Sequence, residues 1–301
     1  MKQEQKYLEI RKNTVVKAND LIQKSRFSLS LQQQKVVLYL ISQITPIDED
    51  FKLYEFSIVE FCKVCGIDYD SGKNYADLKA AIKEIADKSV WIRLANGKQT
   101  LVRWIEKPYI DDNSGIVQIK LDADMKPYLL QLKENFTQYE LLWTLNFKSK
   151  YTIRLYELVK SIHYHELDTY SREFELDELR RMLGAETYKT YQTFKVRVLE
   201  PSIEEVNQYS DKNVSYEPIK NGRAVSKIRL IISTKDTLDR LKLQSEIERE
   251  FGLDSETAFL GAVNKSCILC GDDSYEEITP EEFNKAFQKH LKCLYDAVTS
   301  I

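Results

Sequence analysis

The sequence predicts an α+β protein in which one structural module is used twice. Residues 56–67 (FSIVEFCKVCGI) and residues 174–185 (FELDELRRMLGA) share a Phe, an acidic residue four positions later and a Gly at the eleventh position. Helical and strand-like patterns follow in the same order around both stretches. Nine Gly and six Pro among 301 residues favour regular helices and strands over long flexible linkers.

The first copy begins with an amphipathic helix over residues 28–44, which Ser28 or Ser30 can cap. Residues 51–56 alternate as a short strand does. Ser57 then caps a short helix, which a glycine ends. A longer helix and three strand-like runs follow, at residues 75–89, 90–94, 99–110 and 115–121.

The second copy repeats this order. It has a helix (148–166), a strand (172–176), a short helix (177–183), a long helix (186–209) and two final strands (214–220 and 224–233). Asp177 begins the short helix, and Gly184 ends it. The two strands are joined by Asn221 and Gly222, a dipeptide that is a strong hairpin signal.

Two helices joined by a turn, with a hairpin behind them, describe a winged helix-turn-helix. The second helix of such a pair can enter the major groove of DNA, and the hairpin can contact the backbone nearby. A duplicated α+β module without a nucleic-acid role gives the same pattern and stays open here. We predict two tandem winged helix-turn-helix domains with a helical C-terminal tail. The predicted segments are a basic N-terminal arm (1–27), the first domain (28–146), the second domain (147–233) and an acidic helical region (234–301).

The net charge of −3 conceals an uneven distribution. Residues 1–45 carry a net +5 and residues 147–233 a net +2, whereas residues 46–146 carry −4 and residues 234–301 carry −6. Because the whole chain is not a polycation, any contact with nucleic acid has to be local, on selected faces. A mixed, solvated surface explains the same counts.

The long helix of the second copy has the pattern of a recognition helix. At 100° per residue, Lys189, Thr193 and Arg197 line one face. The opposite, inward set is Tyr188, Tyr191, Phe194, Val198 and Leu199. Pro201 is expected to kink the helix. The candidate DNA contacts of this copy, including two on the wing, are Lys189, Thr190, Gln192, Thr193, Lys195, Arg197, Arg223 and Lys227.

These residue types suit base recognition. Arg and Lys can donate to guanine, Gln can pair with adenine, and Thr can meet a thymine methyl group. Lys and Arg beside the hairpin turn can contact phosphate. For each residue, an ordinary solvated face is the alternative.

The equivalent helix of the first copy is less basic. It offers Lys73, Lys79 and Lys83, but Asp77 and Glu84 lie among them. We expect weaker contacts there, or contacts to phosphate alone. The three strand-like runs of this copy offer more surface for pairing than the hairpin of the second copy. The first copy is therefore the expected place of self-association.

Three stretches resemble the hallmark segments of one family. They are residues 15–44, 149–161 and 191–207, within which RLYEL (154–158) and RVLEPSIEEVN (197–207) are the most specific. In order and spacing they are similar to the replication initiator proteins of iteron-containing plasmids, the Initiator Replication protein or type 3 Rep family. The resemblance leaves residues 234–301 outside.

The resemblance implies tandem winged helices that bind short direct repeats in double-stranded DNA at a plasmid origin. It also implies recruitment of host replication proteins, melting of AT-rich DNA, and exchange between monomer and homodimer through the first domain, with repression of the chain's own gene. Family members have no catalytic centre of their own, so neither an enzyme nor a required cofactor is implied. A transcription regulator with two winged helices would have the same fold, and only its DNA target would differ.

Two short motifs, a His pair and a Cys pair, are candidate metal-binding sites. His163 and His165 resemble the His-hydrophobic-His pair that holds the metal in rolling-circle relaxases, but that site needs the pair on a strand. Here the pair ends a predicted helix, where histidines favour the macrodipole, so a nicking enzyme is the less favoured alternative. Cys62 and Cys65 have no second pair nearby, and burial as small apolar residues is expected.

The C-terminal region holds a candidate zinc site. Cys267 and Cys270 are followed by Gly, as in a zinc knuckle, and His290 and Cys293 share one face of a predicted helix. Together they would form a closed tetrahedral site of three Cys and one His, which suits structural zinc. Three buried thiols and a surface histidine explain the same residues.

The sequence shows no membrane segment and no export signal. No run of 18 apolar residues exists, so no transmembrane helix is expected. The N-terminus lacks the apolar segment of a secretory signal. The five Cys are therefore expected to be reduced or to bind metal, and the protein to be cytoplasmic.

Overall fold

A computed structural model describes residues 2–45, 48–67, 72–162, 169–236, 239–240, 242–244 and 246 of the 301-residue chain. Residues 1–235 form one compact unit, and residues 236–301 fall in a second. All the helices and strands named below belong to the first unit. Within the described part of the chain, no helix is long and apolar enough to cross a membrane.

The helices, in chain order, are α1 (Lys2–Lys12), α2 (Asn19–Gln23), α3 (Leu31–Ser42), α4 (Ile58–Cys65), α5 (Gly72–Asp87), α6 (Lys126–Leu129), α7 (Leu142–Leu145), α8 (Lys150–Ser161), α9 (Leu176–Leu183), α10 (Tyr191–Phe194) and α11 (Glu200–Tyr209). A π-helical turn (Lys195–Leu199) joins α10 to α11. The strands are β1 (Thr14–Ala18), β2 (Ser25–Arg26), β3 (Tyr54–Ser57), β4 (Ser89–Arg93), β5 (Gln99–Arg103), β6 (Tyr109–Asp111), β7 (Ile116–Ile119), β8 (Phe136–Glu140), β9 (Thr169–Glu175), β10 (Lys212–Asn221) and β11 (Ala224–Thr234).

Local signals in the sequence set the helix ends of the first module. The Ser30 hydroxyl accepts a hydrogen bond from the Gln33 N–H, and the Gln33 side chain accepts one from the Ser30 N–H, so α3 begins with a reciprocal capping box. Ser57 caps α4, and Gly66 ends it at φ 63°, a conformation that glycine adopts without steric strain. The buried face of α5 contains the predicted residues Leu78, Ile82 and Ile85.

The second module has the same plan. The Ser149 hydroxyl accepts from the Tyr151 N–H at 3.2 Å and caps α8. α9 begins one residue before Asp177, without a side-chain cap, and Gly184 ends it at φ 69°. The bounds of α4 and α9 are 118 residues apart, as the sequence repeat predicts. The antiparallel sheet β10–β11–β9 completes the module.

Strand pairing shows that the first module has an extra hairpin. In the second module β9 and β10 both pair with β11, and in the first β3 and β6 both pair with β7. β4 and β5 have no counterpart in the described residues of the second module, and they form a separate sheet with β2. The single strand predicted over residues 99–110 is therefore wrong, because it forms β5 and β6 in two sheets. The wing of the first module is β6–β7.

Residues 1–27 do not form the predicted arm. α1 packs on α4, where the buried Arg11 guanidinium donates to the carbonyl oxygens of Lys63 and Val64 at 2.5 and 2.9 Å. β1 pairs antiparallel with β8 along its whole length. The basic composition suggests an arm, but Arg11 and Lys17 are buried inside the fold, where they bind carbonyl and carboxylate oxygens.

The two modules are joined through α8, the helix that carries the RLYEL stretch. The buried Glu157 carboxylate of α8 accepts from the Lys17 ammonium of β1 at 2.5 Å and from the Tyr139 hydroxyl of β8 at 2.7 Å. Burial lowers the pKa of Lys17, and the neighbouring carboxylate opposes that shift. Because each buried charge has a partner, this contact fixes how the β1–β8 ladder sits on α8.

A second residue of that stretch, Arg154, serves both modules. Its guanidinium donates to the Met182 carbonyl at the end of α9, at 2.9 and 2.6 Å, and lies 4.3 Å from the centre of the Phe27 ring. Val64, whose carbonyl binds Arg11, is the residue 118 positions before Met182. Each module therefore uses a buried arginine to satisfy the end of its short helix, although the two arginines come from different helices.

Candidate nucleic-acid interface

The long helix predicted over residues 186–209 begins later than the sequence suggests. Thr190 is its N-cap residue, and the Thr190 hydroxyl accepts from the Thr193 N–H at 3.1 Å. Lys189 consequently lies in the connecting segment before α10, not on the outward face of the helix, which corrects its predicted position. A threonine hydroxyl that binds a nearby backbone N–H favours a cap over a helix interior.

The helix is interrupted by the π turn. The Glu200 N–H donates to the Lys195 carbonyl, five residues back instead of four. Pro201 follows directly, and it has no N–H to donate to the Arg197 carbonyl. The interruption expected at Pro201 thus takes the form of one wide turn just before it.

One face of this helix is anchored in the core of the second module. Phe194, Val198 and Leu199 are fully buried, as predicted. The Arg180 guanidinium of α9 lies 5.6 Å from the centre of the Phe194 ring. The other two residues predicted to face inward are half-buried, Tyr188 and Tyr191. The anchors fix the rotation of the helix, so its opposite face is presented to solvent in a defined way.

That opposite face is mostly polar and accessible. Gln192, Thr193 and Arg197 are exposed, and Arg197 forms no ion pair within the described part of the chain. Lys195 differs, because its ammonium lies 3.4 Å from the Glu200 carboxylate. A guanidinium without an intramolecular ion pair keeps its five donors, in a fixed fork, for a ligand.

Sequence reasoning missed Val196, which lies on the π turn and is 47% exposed. The other aliphatic residues of the turn, Val198 and Leu199, are buried. The signal is present in the sequence, since Val196 falls outside the inward stripe that its neighbours form at 100° per residue. An exposed aliphatic group among polar residues adds an apolar contact to this surface.

The wing of the second module is the β10–β11 hairpin. Its two turn residues are Gly222, at φ 63°, and Arg223, because Asn221 still belongs to the ladder. Arg223 is exposed and forms no ion pair with any described residue. The Lys227 ammonium, further from the tip, lies 3.1 Å from the Glu175 carboxylate, whose hydrogen bond raises the pKa of Lys227. Of the two predicted wing contacts, Arg223 is the more available.

The corresponding helix of the first module, α5, is paired with its own wing. The Lys79 ammonium lies 2.6 Å from the Asp112 carboxylate in the β6–β7 turn, and Tyr75 donates to the same carboxylate at 3.3 Å. This pairing raises the pKa of Lys79 and lowers that of Asp112. Lys83 is exposed with no ion pair among the described residues, and the side chain of Lys73 lies outside them.

Two predicted chemical sites lie outside the described residues. They are the His163 and His165 pair, and the set Cys267, Cys270, His290 and Cys293. Among the described residues, no group of three His, Cys, Asp or Glu side chains could hold a metal ion. Cys62 and Cys65 are buried, as predicted, and burial raises their pKa to about 11 and about 12.

The fold and this surface define a protein with two tandem winged helices. Two family models match the chain, one described as Initiator Replication protein, WH1, over residues 14–160, and one as Initiator Rep protein, WH2, over residues 175–232. Together they cover about two thirds of the sequence. The chain therefore belongs to the Initiator Replication protein family, as the sequence resemblance predicts.

Similar proteins agree with this assignment. A replication initiation protein from Escherichia coli is 26% identical over 294 residues, which cover 95% of this chain and 84% of the relative. The fold is similar to that of the Pi initiator protein in its crystal structure with iteron DNA, with a TM-score of 0.62 at 18% identity. That likeness covers 75% of this chain and 99% of the other, and it confirms the winged-helix fold.

Proposed function

We propose that this initiator binds directly repeated sites in double-stranded DNA at a plasmid origin, recruits host replication proteins and starts replication there. The observation that supports it best is the exposed face of α10 and the π turn, where Arg197 has no ion pair among the described residues. A helix anchored through Phe194 and Val198 can present that face to a major groove. Arg197 would donate to guanine and Gln192 would pair with adenine.

The wing and the cations near it would bind the phosphate backbone of the DNA. Arg223 at the hairpin tip and Lys189 before α10 are exposed and suit phosphate contacts, which position the protein without specifying sequence. Lys83 of α5 would make a similar contact from the first module. Lys79 and Lys195 would contribute less, because each already pairs with a carboxylate.

Footprinting across the DNA that flanks the gene tests this function. We expect protected direct repeats about two helical turns apart, beside an AT-rich tract. Affinity for one repeat should exceed affinity for a scrambled duplex by about a thousandfold or more. Protection of a single operator without repeats would favour the alternative, a transcription regulator. Equal affinity for repeat and scrambled duplexes would contradict the proposal.

The proposed action is binding without covalent chemistry, a catalytic centre or a required cofactor, in the cytoplasm where plasmid DNA lies. The family of DNA-binding initiators to which the chain belongs supports this. A nicking assay on supercoiled origin DNA with a divalent metal tests the alternative. Nicked circles that disappear with His163→Ala would replace this proposal by a nicking enzyme.

The first module is proposed to carry self-association, with exchange between monomer and homodimer. Trp91 on β4 and Leu101 on β5 are direct cross-strand partners, 46% and 50% exposed. β5 is the outer strand of its sheet in the described structure, so an apolar patch and an open strand edge lie together. A second copy that places the same surface against this one would cover both, in an isologous dimer.

Sedimentation over a range of concentrations tests this dimer. We expect a concentration-dependent dimer that binds repeats less well than the monomer does. Leu101→Glu should shift the protein to monomer, whereas Leu53→Glu, at an exposed leucine outside this sheet, should not. A strictly monomeric wild-type profile at high concentration, with autorepression intact, would contradict the proposal.

The C-terminal region is proposed to hold one structural zinc ion through Cys267, Cys270, His290 and Cys293. The support is their spacing in the sequence alone. Metal analysis of protein purified without a His-tag should find about one equivalent, which Cys267→Ser should remove. Less than about a tenth of an equivalent in the wild-type protein would contradict a four-ligand site.

A further inference from the structure

Val196 is an exposed aliphatic side chain on the surface proposed to face DNA. Six large hydrophobic side chains are exposed among the described residues, and five of them belong to the first module. Val196 is the sixth, and it lies between Lys195 and Arg197 on the π turn. A β-branched residue is a modest helix former, and one that leaves about half of its surface exposed adds little to folding. Its presence is better explained by a contact outside the chain.

The neighbours of Val196 fix the direction in which it points. Phe194 and Val198, two residues before and two residues after it, are both fully buried. Residues two apart in a helix lie about 200° from each other, so these anchors turn Val196 away from the core. Gln192 and Thr193, one turn earlier, are exposed and lie on the same side.

The Thr193 hydroxyl is held by hydrogen bonds within the chain, which leaves this residue one methyl group for an apolar contact where Val196 has two. It donates to the Thr190 carbonyl at 3.0 Å and lies 2.8 Å from the Thr190 hydroxyl. The polar groups that remain at the centre of this face are the Gln192 amide and the Arg197 guanidinium. Val196 lies between these two in the sequence and supplies a purely apolar contact.

Resting on the proposed function, we infer that Val196 recognises the C5-methyl group of a thymine in the major groove. Thymine is the one base of the four that presents a methyl group there. Gln192 suits adenine and Arg197 suits guanine, but neither distinguishes thymine from cytosine by an apolar contact. Val196 would therefore set the preference for thymine at one position of the repeat.

Replacing thymine by uracil isolates that methyl group, because the two bases differ in nothing else. Each thymine of a footprinted repeat is replaced in turn, and the full-length protein is titrated with each duplex. We expect one position at which uracil weakens binding by about three- to fivefold, as burial of one methyl group predicts. Val196→Ala should bind the thymine duplex as weakly as the wild type binds the uracil duplex, with no further loss on uracil.

Two controls keep the result specific. Val196→Ala should keep the wild-type unfolding temperature, since the side chain is exposed. Leu53→Ala, at an exposed leucine of the first module, should keep the preference for thymine over uracil. A uracil effect that persists at the same position in Val196→Ala would overturn the inference, as would a wild-type protein insensitive to uracil everywhere. Failure of the proposed function is distinguishable, because the wild type would then not prefer the repeat over a scrambled duplex.

Discussion

The two winged helices share a plan but hold their cations differently. In the second module Arg197 is exposed with no ion pair among the described residues, on a helix whose far side is fully buried. In the first, Lys79 is paired with Asp112 of the wing, Lys83 is exposed without an ion pair among the described residues, and Trp91 and Leu101 form an exposed apolar pair. The comparison teaches that two copies of one fold can differ both in their ion pairs and by a local insertion, since the apolar pair lies on the β4–β5 hairpin, which has no counterpart in the described residues of the second module. An ion pair within the chain makes a cation less available to phosphate, so we expect Arg197 and Arg223, which form no ion pair with described residues, to contribute more than Lys79.

In both copies a buried arginine binds the end of the short helix. The largest effect that we predict is the loss of stability when this arginine is replaced. Arg154 also donates to the Ile22 and Ser25 carbonyls, at 3.4 and 3.5 Å, so it connects the second module to the first. Arg154→Met should lower the free energy of unfolding by about 3–5 kcal/mol, because several buried carbonyls lose a charged donor at once. Arg11→Met should cost less, about 2–3 kcal/mol, because the Lys63 and Val64 carbonyls that accept from Arg11 both lie within the first module.

Urea unfolding of the three proteins measures this difference. A single transition for all of them is expected, because residues 1–235 form one compact unit. Equal losses for both variants, or a loss below about 1 kcal/mol for Arg154→Met, would show that the inter-module contacts of Arg154 contribute little.

The second prediction tests the exposed guanidinium. Arg197→Ala should weaken binding to a repeat by about 1–3 kcal/mol and relax preference at one base position, if its fork pairs with guanine. Arg172→Ala is the matched control, because Arg172 is an exposed arginine on β9 of the same module and lies outside the proposed self-association surface. Titration of duplexes substituted at each position measures both quantities. Unchanged affinity in a Lys189→Ala, Arg197→Ala double variant would remove this helix from the interface.

The features that sequence could supply are those set by short-range chemistry. Ser57, Gly66 and Gly184 mark helix ends through contacts within a few residues, so both copies of the short helix were predictable. β8 was not, because it pairs with β1, more than a hundred residues earlier, and its pattern carries no local signal of that partner. The strands of the β4–β5 hairpin were predicted, but the division of residues 99–110 between two sheets was not, because the sheet that each strand joins depends on the distant pairings of β2 with β4 and of β3 with β7.

In the candidate site, too, the sequence predicts the features that depend on neighbouring residues and misses those that depend on tertiary contacts. The helical period places Thr193 and Arg197 outward, as the structure has them, and places Gln192 less clearly, although it too is exposed. The period cannot show that the helix begins only after Thr190 and that Lys189 therefore lies before it. It also cannot show which cation meets a carboxylate, as Lys227 meets Glu175 across two strands. Availability to a ligand is a tertiary property, whereas amphipathic pattern is a local one.

The third prediction compares two cations of the wing. Arg223→Ala should weaken all duplexes about equally and reduce the salt slope by about one, because the exposed guanidinium can neutralise a phosphate. Lys227→Ala should reduce the slope by less, since its ammonium already pairs with Glu175. Affinities at several salt concentrations give both slopes. A larger change for Lys227→Ala would mean that the Glu175 pair opens on DNA.

The smallest effect should be a gain of binding in the first module. Asp112→Asn removes the charge that holds Lys79 and keeps a side chain of similar size. Since the pKa of Asp112 lies below its usual range, the carboxylate stays charged at neutral pH, and substitution is needed to release Lys79. We expect affinity for a repeat to rise about two- to threefold at low salt, and the salt slope to grow by up to about one.

The control for this gain is Asp87→Asn, which changes the net charge equally at an exposed residue of the same module. Asp87 forms no ion pair with a described residue, so its neutralisation releases no cation. Both variants should keep the wild-type unfolding temperature, because exposed pairs contribute little to stability. If both strengthen binding equally, a general loss of negative charge explains the gain. A gain confined to Asp112→Asn would show that Lys79 is a phosphate contact held back by the wing of its own module.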